Sequence, residues 1–146
     1  NAGDDVMFGS VGNDKLSGQE GNDVLLGEAG ADALDGGAGT DTASYATSGA
    51  AVAANLATGT GTLGEAAGDT YTSIENLIGS AFNDILIAGP SAAAISGGGG
   101  DDQIYGGSAN DILAGNAGND TIRLIALQKK RVMTFSICNP GDSPTG

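Results

Sequence analysis

Apolar side chains recur at every ninth residue in two stretches of the chain. The first series is Met7, Leu16, Leu25, Leu34 and Ala43, and the second is Leu77, Leu86, Ile95, Ile104, Leu113 and Ile122. Each of these residues is the centre of a three-residue segment that favours a short strand, and a turn rich in Gly, Asn and Asp separates one segment from the next. Such short strands are not stable alone, so the pattern predicts copies that stack on one another as a solenoid.

Leaving aside Leu77, which lies in the spacer and follows Glu75, an aspartate stands two residues before the apolar position in nine of ten repeats, and Ala93 is the exception. Glycines keep the same period, so a typical unit of nine begins with Gly and carries a second Gly at position four and Asp at position six, with Phe82, Ser91 and Ala109 as exceptions at position four. The clearest copies are GSVGNDKLS (9–17), GQEGNDVLL (18–26), GGGGDDQIY (97–105) and GNAGNDTIR (115–123). Two units make one coil, and successive coils stack as parallel strands about 4.8 Å apart.

The unit resembles the calcium-binding nonapeptide of the RTX (repeats-in-toxin, haemolysin-type) family of secreted bacterial proteins, over residues 1–44 and 79–123. The resemblance implies an all-β fold, a parallel β-roll (β-solenoid) with calcium ions between the Gly/Asp-rich turns. It further implies about five or six Ca²⁺ ions, bound by repeat aspartates together with turn carbonyls. The aspartates that it nominates as metal ligands are Asp5, Asp14, Asp23, Asp32, Asp41, Asp84, Asp102, Asp111 and Asp120.

Composition supports a hard cation and argues against other chemistry. The chain has 18 acidic and 5 basic residues, a formal net charge of −13, which disfavours nucleic acid as a partner. Carboxylates and carbonyls suit Ca²⁺ or Mg²⁺ rather than Zn²⁺, and flexible glycine turns favour the larger ion. There is no His and only one Cys, so we predict no enzyme activity, no catalytic residues and no disulfide framework.

Four segments are predicted: a first calcium-binding block at 1–44, a spacer at 45–78, a second block at 79–123 and a tail at 124–146. The spacer is predicted to contain a strand at AVAANLA (51–57), a Gly/Thr loop at 57–70 and a second strand at YTSIENLIG (71–79). These elements indicate wider coils that continue the solenoid, with a hinge between two rolls as the alternative. Asp69 and Glu75 are possible extra ligands.

The tail differs from the rest of the chain because it is basic and apolar, with residues 132–138 as a possible capping strand. A disordered or vector-derived end is the alternative interpretation. The chain begins at Asn1, without Met or a signal segment, which favours a fragment or processed product.

Together these features indicate a secreted bacterial calcium-binding module that folds on calcium after type I export. Its predicted partners are calcium ions and other domains of a larger parent chain, with no nucleic acid and no transmembrane segment. The alternatives are an accessory fragment of a secreted enzyme (protease, lipase or alginate epimerase) and an adhesin or surface-layer spacer.

Overall fold

The computed structural model describes residues 2–124 and the short strand at 137–138. Within these residues the fold is a β-solenoid of two sheets, and the chain alternates between the sheets as it winds. One 3-10 turn, Gly64–Ala66, is the only helical element described. The predicted all-β parallel roll is therefore confirmed.

The strands are numbered β1 to β15 in chain order. Sheet I contains, in spatial order, β1 (Val6–Phe8), β3 (Val24–Leu26), β5 (Thr42–Ser44), β9 (Asn76–Ile78), β11 (Ala94–Gly99), β13 (Ile112–Ala117) and β15 (Ile137–Cys138). Sheet II contains β14 (Thr121–Arg123), β12 (Gln103–Tyr105), β10 (Ile85–Ile87), β6 (Ala53–Asn55), β7 (Thr60–Leu63), β8 (Thr70–Thr72), β4 (Ala33–Ala38) and β2 (Lys15–Glu20).

Parallel pairing places equivalent residues of successive coils side by side. Met7 pairs with Leu25 in sheet I, and Leu86 pairs with Ile104 in sheet II. Because alternate residues of a strand point to opposite faces, the central residue of each short strand points into the roll. The buried members of the nine-residue series are Leu16, Leu25, Leu34, Ala43, Leu77, Leu86, Ile95, Ile104 and Leu113. Met7 and Ile122 are only partly buried and pack against this core.

The spacer continues both sheets and adds one reversed strand. Strand β8 pairs in parallel with β4, and β6 pairs in parallel with β10. Strand β7 lies between β6 and β8 and runs antiparallel to each of them. The loop predicted over 57–70 is therefore wrong at β7, because its backbone pairs on both sides despite the Gly/Thr-rich sequence. The single strand predicted over 71–79 is also wrong, since β8 and β9 belong to different sheets and a turn at 73–75 separates them.

The tail contributes β15, whose Ile137 and Cys138 pair in parallel with Asn116 and Ala117 of β13. Otherwise the capping strand predicted over 132–138 lies outside the described residues. Among the residues that the structure describes, no helix has the length and apolar character to cross a membrane.

Candidate metal centre

Six of the Gly/Asp turns contain two residues with left-handed backbone conformations. Position four is a glycine with φ between +94° and +150° in seven turns, and Gly30 shows why: a Cβ there would collide with the carbonyl oxygen of Gly12. Position two is also left-handed, although it carries a side chain in several turns, for example Gln19 (φ +80°) and Glu28 (φ +67°). This conformation lets the backbone reverse within one short turn, and it is the reason that the turns are rich in glycine.

The turns form two rows along the two edges of the roll. Row one contains the turns that lead from sheet I to sheet II, and row two contains those that lead back. The aspartates of row one are Asp14, Asp32, Asp84, Asp102 and Asp120, and those of row two are Asp5, Asp23, Asp41 and Asp111. The structure thus divides the nine predicted ligands between two separate columns.

Within each column, one carboxylate oxygen links its turn to the turn one coil earlier. The backbone N–H of Asp5 donates to Oδ1 of Asp23 at 2.7 Å, and the N–H of Asp23 donates to Oδ1 of Asp41 at 2.8 Å. In row one the equivalent bond joins the N–H of Asp14 to Asp32 at 2.8 Å. The repeat aspartates therefore hold successive coils in register through one oxygen, which leaves the second oxygen for another partner.

The second oxygen has no hydrogen-bond partner in six of these side chains. In the described part of the chain, these Oδ2 atoms are shielded from solvent and belong to Asp14, Asp23, Asp32, Asp41, Asp102 and Asp120. An unpaired buried carboxylate oxygen is unfavourable, because nothing replaces the water that it loses. A bound cation would compensate each of these oxygens.

The first glycine of the repeat makes room beside each free oxygen. A Cβ on Gly18 would meet Oδ2 of Asp23 and would lie 2.5 Å from the carbonyl oxygen of Gly36, one coil later. The same convergence occurs at Gly97, between Oδ2 of Asp102 and the carbonyl oxygen of Gly115. A carboxylate and a main-chain carbonyl therefore face one small volume that any larger residue would fill.

This donor set fits Ca²⁺. Calcium takes six to eight hard oxygen ligands from carboxylates, carbonyls and water, in flexible geometry. Within the described residues, no group of three or more Asp, Glu, His or Cys side chains converges on a point, so carbonyls must supply much of the coordination. The aspartates would provide the negative charge, and the glycine turns the remaining oxygens.

Two of the predicted aspartates have other partners for their second oxygen. Asp84 accepts from the N–H of Ser80 at 2.6 Å through Oδ2 and from the Ser80 hydroxyl at 2.7 Å through Oδ1. Asp111 accepts from the N–H of Gly107 at 2.8 Å through Oδ2. In Asp84 and Asp111 the Oδ2 atom therefore accepts from a protein N–H, whereas in six of the other repeat aspartates the same atom has no partner.

The electrostatics of row one show the cost of this arrangement without a cation. The pKa of Asp102 is raised to about 7, mainly by burial, and the charges of Asp84, Asp120 and Asp101 contribute in the same direction. The hydrogen bond from the N–H of Asp84 acts in the opposite direction. A dense column of carboxylates thus favours bound protons or bound cations.

A second ladder of side chains was not predicted from the sequence. At position five, Asp4 accepts from the N–H of Asn22 at 2.8 Å, and Asn22 in turn accepts from the N–H of Thr40 at 2.8 Å. These side chains bond to the following coil, whereas the position-six aspartates bond to the preceding one. The recurrence of Asn or Asp at position five was visible in the sequence and could have indicated this role.

Asp69 of the spacer, which the sequence named only as a possible extra ligand, has the place of a repeat aspartate in row one. It is fully buried, and its Oδ1 accepts from the N–H of Asp32 at 2.8 Å, as a repeat aspartate would. Its Oδ2, however, accepts from the hydroxyl of Tyr45 at 2.7 Å, and the hydroxyl of Tyr71 lies 2.6 Å from that of Tyr45. No periodic signal marks Asp69, because the reversed strand β7 breaks the nine-residue spacing.

Comparison with known families agrees with the geometry. Four copies of the RTX calcium-binding nonapeptide repeat of the haemolysin type match residues 1–16, 8–43, 69–92 and 94–122, about two thirds of the chain. No individually curated protein matches the sequence. The matched segments contain all nine repeat aspartates and both rows of turns. The chain therefore belongs to the family of RTX calcium-binding nonapeptide-repeat proteins, and it is a calcium-binding β-solenoid module of that family.

Proposed function

We propose that this module folds when calcium binds after export from a bacterial cell, and that it has no catalytic role of its own. The ions lie between neighbouring turns of each row, about five or six in all, with the nine repeat aspartates as the side-chain ligands. The observation that carries this proposal is the set of six buried carboxylate oxygens without a partner.

The physical basis is electrostatic. Residues 1–122 contain almost all of the acidic side chains and one base, Lys15, while the apolar core is confined to the space enclosed by the coils. Without cations, stacking the aspartates brings like charges together in a poorly hydrated environment. Ligands that bind only the folded state stabilise it by mass action, so several weak ions acting together can drive folding.

Calcium dependence also explains how export and folding can be compatible. Extracellular calcium modules function with dissociation constants of about 10⁻⁴ to 10⁻³ M, far above the free calcium inside cells. The chain would stay unfolded before type I export and fold outside. Type I export and the larger parent chain belong to this proposal because the family is typical of secreted bacterial proteins.

Circular dichroism tests the proposal directly. We expect a coil-like spectrum in EGTA and a strand spectrum after addition of millimolar Ca²⁺, with Mg²⁺ much less effective because it requires a tight octahedral site. A variant with Asn in place of all six partnerless aspartates is the matched control, and it should not respond to calcium. A complete strand spectrum of the unmodified chain in chelator would contradict the proposal.

A further inference from the structure

The spacer ends row two with a turn that has the features of a repeat turn but not its sequence. Glu75 accepts from the N–H of Asp41 at 2.9 Å through Oε2, which is the bond that a repeat aspartate makes to the preceding coil. In return, the N–H groups of Glu75 and Asn76 donate to the carbonyl oxygen of Asp41 at 3.1 Å and 2.9 Å. The turn is thus fixed against Asp41 from both sides.

A main-chain oxygen of the same turn faces the free carboxylate oxygen of Asp41. A Cβ on Gly36 would meet both Oδ2 of Asp41 and the carbonyl oxygen of Ser73. In the preceding turn of this row, Gly18 has the same relation to Oδ2 of Asp23 and the carbonyl of a repeat glycine. Ser73 has φ +50°, a left-handed conformation like that of the repeat turns.

Asp41 itself gives an independent indication of a ligand. Its side chain is 0% exposed, and its Oδ2 has no hydrogen-bond partner in the described residues. The neighbouring acid, Glu75, is half-buried, so the pair can present two negative charges to one cation. Both carboxylates carry oxygen ligands of the type that Ca²⁺ prefers.

The other edge of the spacer lacks this arrangement. At Gly27 in row one, the three heavy atoms nearest to the Cβ position all belong to Asp32, so no spacer carbonyl approaches as closely. The spacer acid on that side, Asp69, has hydrogen-bond donors on both oxygens. The two edges of the same spacer therefore differ in their capacity to bind a cation.

The geometry points to a calcium site shared between the first repeat block and the spacer, formed by the side chains of Asp41 and Glu75 and the carbonyl of Ser73. This inference rests on the proposed calcium binding of the module and adds ligands outside the nonapeptide consensus. With this site, row two binds one more ion than the repeat aspartates alone could hold. On row one the spacer provides no equivalent site.

Native mass spectrometry at saturating calcium can count the ions on the folded chain. We expect Glu75→Gln to bind one ion fewer than the unmodified chain, because Gln removes the charge but keeps an oxygen for the N–H of Asp41. Gly36→Ala should also lose one ion, because its methyl group would occupy the volume between the two oxygens. The matched control is Asp69→Asn, which should retain the full count.

The double variant Gly36→Ala/Glu75→Gln separates one site from two. A loss of one ion in total supports the shared site, whereas a loss of two overturns it. A full count in either single variant that folds by circular dichroism, or a missing ion in Asp69→Asn, also overturns it. If the unmodified chain binds no calcium, the proposed function itself fails, and this outcome is distinct from a normal count in Glu75→Gln.

Discussion

The hydroxyl of Tyr45 donates to Oδ2 of Asp69 at 2.7 Å, and so occupies the oxygen that stays free in Asp14 and Asp32 of the same row. Burial raises the pKa of Tyr45, so its phenol remains protonated and acts as a donor. At Asp69 the Tyr45 hydroxyl is therefore the partner of the carboxylate oxygen, whereas in the repeat turns the equivalent oxygen is suited to a cation. Both carboxylate oxygens of Asp69 thus accept hydrogen bonds from the protein and need no metal ion.

Tyr45→Phe should destabilise the folded module without changing the number of bound ions. The substitution leaves Oδ2 of Asp69 buried and unpaired, at a cost of about 1–3 kcal/mol. We expect the calcium midpoint of folding to rise while the ion count at saturation stays the same. Tyr105→Phe is the control, since the Tyr105 hydroxyl donates to the exposed Gln103 at 3.1 Å. An equal shift in both variants would contradict the role of Tyr45.

Asp23→Ala should affect calcium binding more than Asp5→Ala. Asp23 is 0% exposed and lies between Asp5 and Asp41 in row two, so it can contact the ions on both sides. Asp5 is half-buried in the first described coil and can contact only one. Calorimetric titration should show up to two ions lost with Asp23→Ala and at most one with Asp5→Ala. Equal losses would mean that neighbouring turns do not share their ions.

Gln19→Gly should stabilise the calcium-bound roll. Gln19 has φ +80°, a conformation that costs a residue with a side chain about 1–2 kcal/mol, and glycine adopts it freely. Part of this gain is lost to the greater freedom of glycine in the unfolded chain, so we expect a net gain of about 1 kcal/mol. Glu20→Gly is the control, because Glu20 is in strand β2 outside the left-handed region, and this change should destabilise. Urea denaturation in saturating calcium measures both.

Acid should stabilise the calcium-free roll. The pKa of Asp102 is about 7 in the roll and 3.8 ordinarily, so the folded chain binds more protons and folding is favoured as pH falls from about 7 toward 4. Protons compete with calcium for the same oxygens, so the calcium midpoint should rise over that range. Circular dichroism in chelator at several pH values measures the stability of the calcium-free roll. The variant Asp102→Asn should show a weaker pH dependence. A calcium-free chain that is less stable at pH 5 than at pH 7.5 would refute it.

The nine-residue spacing was sufficient to predict the roll and its inward residues, because the repeat specifies local conformation and burial at the same time. Leu25 and Ile104 are fully buried as their position requires. The turn chemistry was equally local, since Gly at positions one and four follows from backbone conformation and close approach. These features need only short-range sterics and the pairing of identical neighbours.

The spacer was only partly predictable, since its pairing depends on residues far apart in the chain. The sequence predicts a loop at strand β7, because Gly and Thr give a weak strand signal until β6 and β8 provide hydrogen-bond partners on both sides. The sequence likewise could not distinguish Asp69 from Glu75, two acids of similar type. Only the tertiary structure brings Tyr45 to one of them and a strained Ser73 turn to the other.

The repeat determined by itself where the aspartates lie, while the tertiary structure decided which of their oxygens remain free. Asp84 and Asp102 have the same position in the repeat, but Ser80 donates to both oxygens of Asp84, whereas Oδ2 of Asp102 has no partner. Periodicity specifies the positions of the main chain, whereas the partner of a buried carboxylate oxygen depends on every side chain and carbonyl that packs around it.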